Sequence, residues 1–177
     1  MNLYVVRHGQ TLWNEEGKVQ GTIDIPLSLS GEESIRELKP IVAGLNIDEV
    51  ISSPLIRAYE TARIITDNKF KIEIDDRIKE RNWGLNEGLS VNLVDTKKCW
   101  NIKLNTNDNN IEAVVDFMNR VSSFIEDIKV KYKDKNVLVV THSAVSRAIH
   151  YLLGNIQEDM DLSKIHIPNL RIIEYKL

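Results

Sequence analysis

The sequence predicts an α/β fold, with a mainly parallel central sheet and helices on both faces. Three observations carry this: short apolar runs rich in β-branched residues, amphipathic helical stretches between them, and the alternation of the two along the chain. The first strand is expected over residues 2–6, where Leu3-Tyr4-Val5-Val6 is apolar and stops at Arg7-His8-Gly9. Ser30, followed three residues on by Glu33, forms a capping box that opens a helix over 31–43, which Pro40 should kink or shorten. A short strand at 49–51 leads into Ser53-Pro54, which opens a helix to about 66; Ile56, Tyr59, Ala62, Arg63 and Ile64 supply its mostly apolar face. A strand over 70–74 comes next. Residues 85–110, ending in Asn-Thr-Asn-Asp-Asn-Asn, read as a variable loop or lid. The longest helix is expected over 110–131, where Val114, Val115, Met118, Val121, Phe124, Ile125 and Ile128 recur at three and four residues as a core face. A strand over 136–141, a helix over 144–153 and a last strand over 170–175 complete the chain.

A length of 177 residues suits one domain, 1–177, with a hydrophobic core of its own. The 23 Lys+Arg against 26 Asp+Glu leave a net charge of −3, which argues against a nucleic-acid partner, since that needs a broad basic face. No apolar run approaches the roughly 20 residues that span a bilayer, so no membrane association is expected. The N-terminus turns polar at Arg7 without the features of a secretory signal, and a single Cys99, read as a bland thiol, can form neither an intrachain disulfide nor a zinc cluster. Both point to the cytoplasm. No exposed apolar stripe reveals an oligomeric state.

In open parallel α/β sheets, ligands bind beyond the carboxyl ends of the strands. Two such ends carry a histidine: His8 after the first strand and His142 after the strand at 136–141. If those strands run parallel, both imidazoles emerge on one edge. Ser143 and the next N–H groups would aim the positive end of a helix at the same place. Arg7 adjoins His8, and Arg57 stands in the first turn after Ser53-Pro54. Guanidinium groups match phosphate oxygens with paired donors, so these residues together would make a phosphate pocket without a metal or cofactor. Taken singly, Arg7 and Arg57 read more readily as surface ion-pair partners, and His8 as a satisfied loop residue.

The run Arg7-His8-Gly9-Gln10-Thr11, followed by Trp13-Asn14, resembles the Arg-His-Gly-x-Thr/Ser signature of the histidine phosphatase superfamily, the cofactor-dependent phosphoglycerate mutase-like group. Gln20-Gly21, Asp24, Pro26-Leu27-Ser28 and Gly31 continue the pattern of its first loop. Ser53-Pro54-Leu55-x-Arg57-Ala58-x-x-Thr61-Ala62 is similar to its second block, Glu80-x-x-x-Gly84 with Glu87-Gly88 to the block carrying its acid, and Val140-Thr141-His142-Ser143 to the block of its second histidine. The resemblance covers most of the chain in the expected order. The chain departs from it at Ser143, where many relatives have Gly, and at Asn109-Asn110-Ile111-Glu112-Ala113, where many read Gly-Gly-Glu-Ser, a difference that bears on the substrate-facing loop. Residues 85–110 match poorly.

The resemblance implies a phosphoglycerate mutase-like fold and hydrolysis of a small soluble phosphomonoester. His8 would attack phosphorus while neutral, its second nitrogen oriented by a backbone carbonyl. Arg7, Arg57 and His142 would hold the equatorial oxygens, and Glu80 would act as general acid and then base, with Glu87 in reserve. Asn14, Gln20, Gly21 and Ser143 would add neutral donors. His150 and His166 lack ligand spacing and read as structural or exposed. Lys97, Lys98, Trp100 and Lys103 read as a solvated face; the other reading is a grip on a second acidic group or stacking on a ring. A cofactor-dependent phosphoglycerate mutase is the main alternative, disfavoured here because the chain ends soon after its last strand. A non-catalytic phosphate-binding module is the lesser one.

Overall fold

Strand β1 (Asn2–Arg7) carries apolar side chains in both directions, and both sets are buried: Leu3 and Val5 on one side, Tyr4 and Val6 on the other. Such a strand needs cover on each face. The computed structural model, which describes residues 1–154 and 162–177, supplies it. After β1 come α1 (Leu12–Glu15), α2 (Leu29–Ala43), β2 (Glu49–Ser52), α3 (Ile56–Ile65) and β3 (Ile72–Ile74). They are followed by α4 (Thr96–Cys99), α5 (Val114–Lys131), β4 (Asn136–Thr141), α6 (Ser143–Leu153) and β5 (Ile172–Lys176). The sheet runs β3-β2-β4-β1-β5. Its first four strands are parallel, and β5 pairs antiparallel with β1.

The two faces bury separate cores. Leu3, Val5, Val137 and Val139 pack with Phe117, Val121, Phe124 and Ile125 of α5 and with Val145 and Ile149 of α6. Tyr4, Val6, Leu138 and Val140 pack instead with Ile35 and Val42 of α2 and Ala58, Ala62 and Ile65 of α3. Among the described residues, no helix is long and apolar enough to cross a membrane.

Local chemistry moves several element boundaries. Helix α2 starts two residues before its expected first residue because Ser28, extended at φ −81 and ψ 162, is the cap whose oxygen accepts from Gly31 N; Ser30 turns instead to Glu15. A Cβ on Gly31 would meet Gln10 O at 2.2 Å, so the start of this helix is pressed against the loop after β1. Pro40 does not end the helix, which continues to Ala43. Helix α5 begins at Val114 and not at 110, since Asn109 and Asn110 sit at φ 56 and 59. Asparagine tolerates this left-handed region better than most residues, so the pair keeps a turn that glycines would make without strain. The buried face of α3 is rotated from the expected one: Arg57, Ala58, Thr61, Ala62 and Ile65 point inward, while Ile56 and Tyr59 are exposed.

Candidate active site

Sheet register brings the two histidine-bearing loops together. Arg7 lies opposite Thr141 at the carboxyl ends of β1 and β4, and His8 N donates to Thr141 O at 2.8 Å. The imidazoles of His8 and His142 therefore leave neighbouring strands, with ring centroids 5.1 Å apart. Strand β2 lies on the other side of β4, so Ser53 reaches the same place and its Oγ is 2.7 Å from His142 Nε2. The next turn carries Arg57 into the site. Asp24 Oδ1 accepts from Ile56 N at 2.7 Å and caps α3 from a separate loop. Thr61 Oγ1 donates to Arg57 O and accepts from Gly9 N at 3.0 Å, tying the first two motif blocks to each other.

His8 is buried, and its Nδ1 lies 2.7 Å from Gly9 O. A carbonyl can only accept, so Nδ1 carries the proton and Nε2 keeps its lone pair. Asn169 Nδ2 donates to His8 O at 2.7 Å and holds the loop from below. Arg57 spends its two terminal nitrogens on Ile23 O and Gly21 O, and Arg7 Nη1 donates to Ile167 O. Among the described residues, the buried polar atoms without a partner include Arg7 Nε, Arg57 Nε and His142 Nδ1. Leaving such groups unpaired costs free energy, and an anion within reach of them recovers it. Burial holds both guanidinium groups below their usual value, an effect opposed by the Glu80 carboxylate.

Burial, followed by the nearby Arg57 charge, also pushes both imidazoles well below 6.5. Each histidine then binds a proton less readily folded than unfolded. Stability is full above about pH 6.5 and falls as pH drops towards the lowered folded values, by at most about 1.4 kcal/mol per histidine per pH unit. Urea unfolding from pH 8 to 5 is expected to show this slope, and His142→Asn to reduce it to the part that His8 contributes. A wild-type stability that stays level below pH 6.5 contradicts neutral burial.

Arg7, His8, Asn14, Gln20, Gly21, Arg57, Glu80 and Ser143 line one cleft of about 230 Å³, room for a phosphate and a small leaving group. His142 lies behind this lining, fully buried. Glu80 Oε1 accepts from Arg81 N at 2.9 Å and from Ala144 N at 3.1 Å. The start of α6 thus gives Ala144 N–H to a carboxylate and does not leave it free for an incoming anion, as the sequence suggested. Asn14 forms a reciprocal cap with Thr11, and Gln20 Oε1 is buried without a partner. Glu87 does not line the cleft; its Oε1 accepts from Thr22 N and Trp83 N. At Gly21, with φ +54, a Cβ would fall 1.9 Å from Glu87 Oε1. Gly21→Ala is therefore expected to cost about 1–3 kcal/mol in urea unfolding and to weaken phosphate binding, because Gly21 O anchors Arg57. Unchanged stability and binding would contradict that coupling.

The outer wall holds residues that the motif reading passed over: Lys18, Trp83, Val94, Arg147 and Ser163. Arg147 sits one turn beyond Ser143 on α6, a spacing visible in the sequence, and its guanidinium lies 4.4 Å from the Trp100 ring. Trp100 is buried in the cleft wall, not part of a solvated face, whereas Lys98 pairs with Asp108 at the surface. Lys97 and Lys103 are exposed. Cys99 is buried, and burial raises its thiol pKa. His150 Nδ1 is 3.1 Å from the Tyr175 hydroxyl, and His166 is exposed. Among the described residues, no group of three or more His, Cys, Asp or Glu is placed to hold a metal.

A sequence profile of the histidine phosphatase superfamily (branch 1) matches residues 3–177. The chain is 36% identical over 168 residues to the uncharacterized phosphatase PhoE of Bacillus subtilis (strain 168), covering 93% of this chain and 82% of that protein. It is 32% identical over 158 residues to phosphoglycerate mutase-like protein 4 of Arabidopsis thaliana, covering 84% of this chain and 69% of that one. The structure of a mycobacterial glucosyl-3-phosphoglycerate phosphatase complexed with VO3 superimposes with a TM-score of 0.84 at 22% identity, covering 98% of this chain and 91% of that chain. This last likeness is one of fold.

Proposed function

The chain belongs to the histidine phosphatase superfamily, branch 1, and from that membership we propose that it hydrolyses a small phosphorylated metabolite through a phosphohistidine. One observation carries the reading: a buried imidazole with a free Nε2 lone pair lines the same cleft as Arg7 and Arg57, whose buried Nε groups have no partner, and its ring lies 5.1 Å from that of His142. His8 Nε2 attacks phosphorus, and the bond to the leaving oxygen breaks as protonated Glu80 gives that oxygen its proton. Water then attacks the phosphohistidine. Glu80 takes the proton from the water, the P–N bond breaks, and His8 is restored. Arg7, Arg57 and His142 stabilise the equatorial oxygens, with Asn14, Gln20, Gly21 and Ser143 supporting the phosphate from the cleft wall. The cationic groups are supplied by the chain, so the reaction calls for no metal or cofactor. The reading is of one domain, 1–177, with 85–110 forming the outer wall, working in the cytoplasm on a soluble substrate; a single cysteine in 177 residues supports that location.

Phosphate release across a panel of phosphorylated metabolites tests this. Release is expected, undiminished after exhaustive chelation. Bisphosphoglycerate-dependent isomerisation outpacing phosphate release would make the chain a mutase. Absence of any turnover would leave a phosphate-binding module, and a chelator-sensitive rate would overturn the metal-free mechanism.

A further inference from the structure

The segment that carries Glu80, residues 77–82, belongs to no strand and no α-helix, so its backbone groups must find partners elsewhere. Four of them, Arg77 O, Lys79 O, Glu80 O and Asn82 N, are held by two side chains outside the cleft. Arg120, on α5, donates through Nη1 to Arg77 O at 2.6 Å and Lys79 O at 2.9 Å, and through Nη2 to Glu80 O at 3.2 Å. The same guanidinium forks onto Glu112, Nε to Oε1 at 2.7 Å and Nη2 to Oε2 at 2.9 Å. Glu112 closes the far end. Its Oε2 accepts from Asn82 N at 3.1 Å, its N–H donates to Asn82 O at 2.9 Å, and its carbonyl accepts from Arg81 Nε and Nη2. The carbonyl of Ile78 accepts from Thr141 Oγ1, the residue before His142.

Three carbonyl oxygens gathered at one point repel each other unless a cation with several donors lies between them. Arginine offers five donors in a fixed fork; a lysine ammonium has the charge without that geometry. Glu112 fixes the plane of the fork, and Phe117, whose ring centre is 4.9 Å from the guanidinium carbon, supports it. Neither Arg120 nor Glu112 lines the cleft. Their effect on chemistry passes through the backbone of Glu80, whose carboxylate is aimed by Arg81 N and Ala144 N. A displacement of about 1 Å in a catalytic group can cost on the order of 10²-fold.

We propose that the Arg120–Glu112 pair is a positioning device for the Glu80 carboxylate, gripping the backbone of its loop so that proton transfer to the leaving oxygen stays in line. The inference rests on the reading of Glu80 as the acid. The test compares Arg120→Lys and Glu112→Gln with the unaltered enzyme on p-nitrophenyl phosphate and phenyl phosphate, esters of similar shape whose leaving groups differ in their need for a proton. In Arg120→Lys, kcat for phenyl phosphate is expected to fall about 10- to 100-fold and kcat for p-nitrophenyl phosphate less than about 3-fold, with KM nearly constant for both. Glu112→Gln, which keeps volume and most hydrogen bonds, should show the same split at smaller size; it carries the test if Arg120→Lys does not fold. Equal slowing of both esters, or unchanged rates on both, overturns the proposal. Glu80→Gln measured in parallel separates the two claims: if Glu80→Gln splits the esters and the Arg120 and Glu112 variants do not, the positioning role alone fails. If Glu80→Gln treats both esters alike, the acid assignment itself falls.

Discussion

Replacing His8 with alanine is expected to lower turnover by about 10⁴-fold or more while the chain stays folded and still binds inorganic phosphate. The size follows from the role: without Nε2, phosphorus has no nucleophile inside the cleft, and the two easier displacements revert to one direct attack by water. Burial and the nearby guanidinium charges keep the ring neutral, and Gly9 O holds the proton on Nδ1. His142 is not expected to take over as nucleophile, because its Nε2 is engaged with Ser53. Phosphate affinity should survive, since Arg7 and Arg57 are held by backbone carbonyls at Ile167, Ile23 and Gly21 and not by His8. Phosphate release assays and calorimetric titration with phosphate check the two halves. A variant that keeps more than about a hundredth of the rate would remove His8 from the mechanism.

Glu80→Gln should slow an ester with a basic leaving group by about 10²- to 10³-fold, yet slow p-nitrophenyl phosphate no more than about 10-fold. Glutamine is nearly the same shape, and its oxygen can still accept from Arg81 N and Ala144 N, so the fold and the cleft are retained. Only the transferable proton is lost. A nitrophenolate leaves without one, whereas a phenolate or alkoxide does not, and the gap between substrates reports the missing step. Comparable slowing of all esters would assign Glu80 to binding or folding.

Much of the site was legible because its groups lie at strand ends, where sequence position and sheet register coincide. His8 and His142 could be placed together as soon as both apolar runs were read as parallel strands, and Arg57 followed from its place just after β2. What depended on contacts between elements was not legible. Periodicity points to the wrong face of α3 because Arg57 is a buried arginine, which such a count places outward. The cap of that helix is Asp24, from another loop. Ser28 outcompeted Ser30 as the cap of α2, a choice settled by the conformation of the preceding turn. Asn109 and Asn110 took up positive φ and preserved a turn that their side chains made hard to foresee. The Arg120–Glu112 grip joins a helix to a loop some forty residues earlier, and nothing in the local pattern of either signals it. Arg147, by contrast, stands four residues after Ser143 and could have been found from helical spacing alone.

The most direct measurement is a rapid acid-free quench of the enzyme during turnover of a substrate labelled in its phosphoryl group, followed by peptide mapping. Label that is stable to base, labile to acid and confined to the peptide containing His8 is the predicted result. Turnover at full rate with no such adduct, or with the phosphoryl group on any other residue, would contradict it.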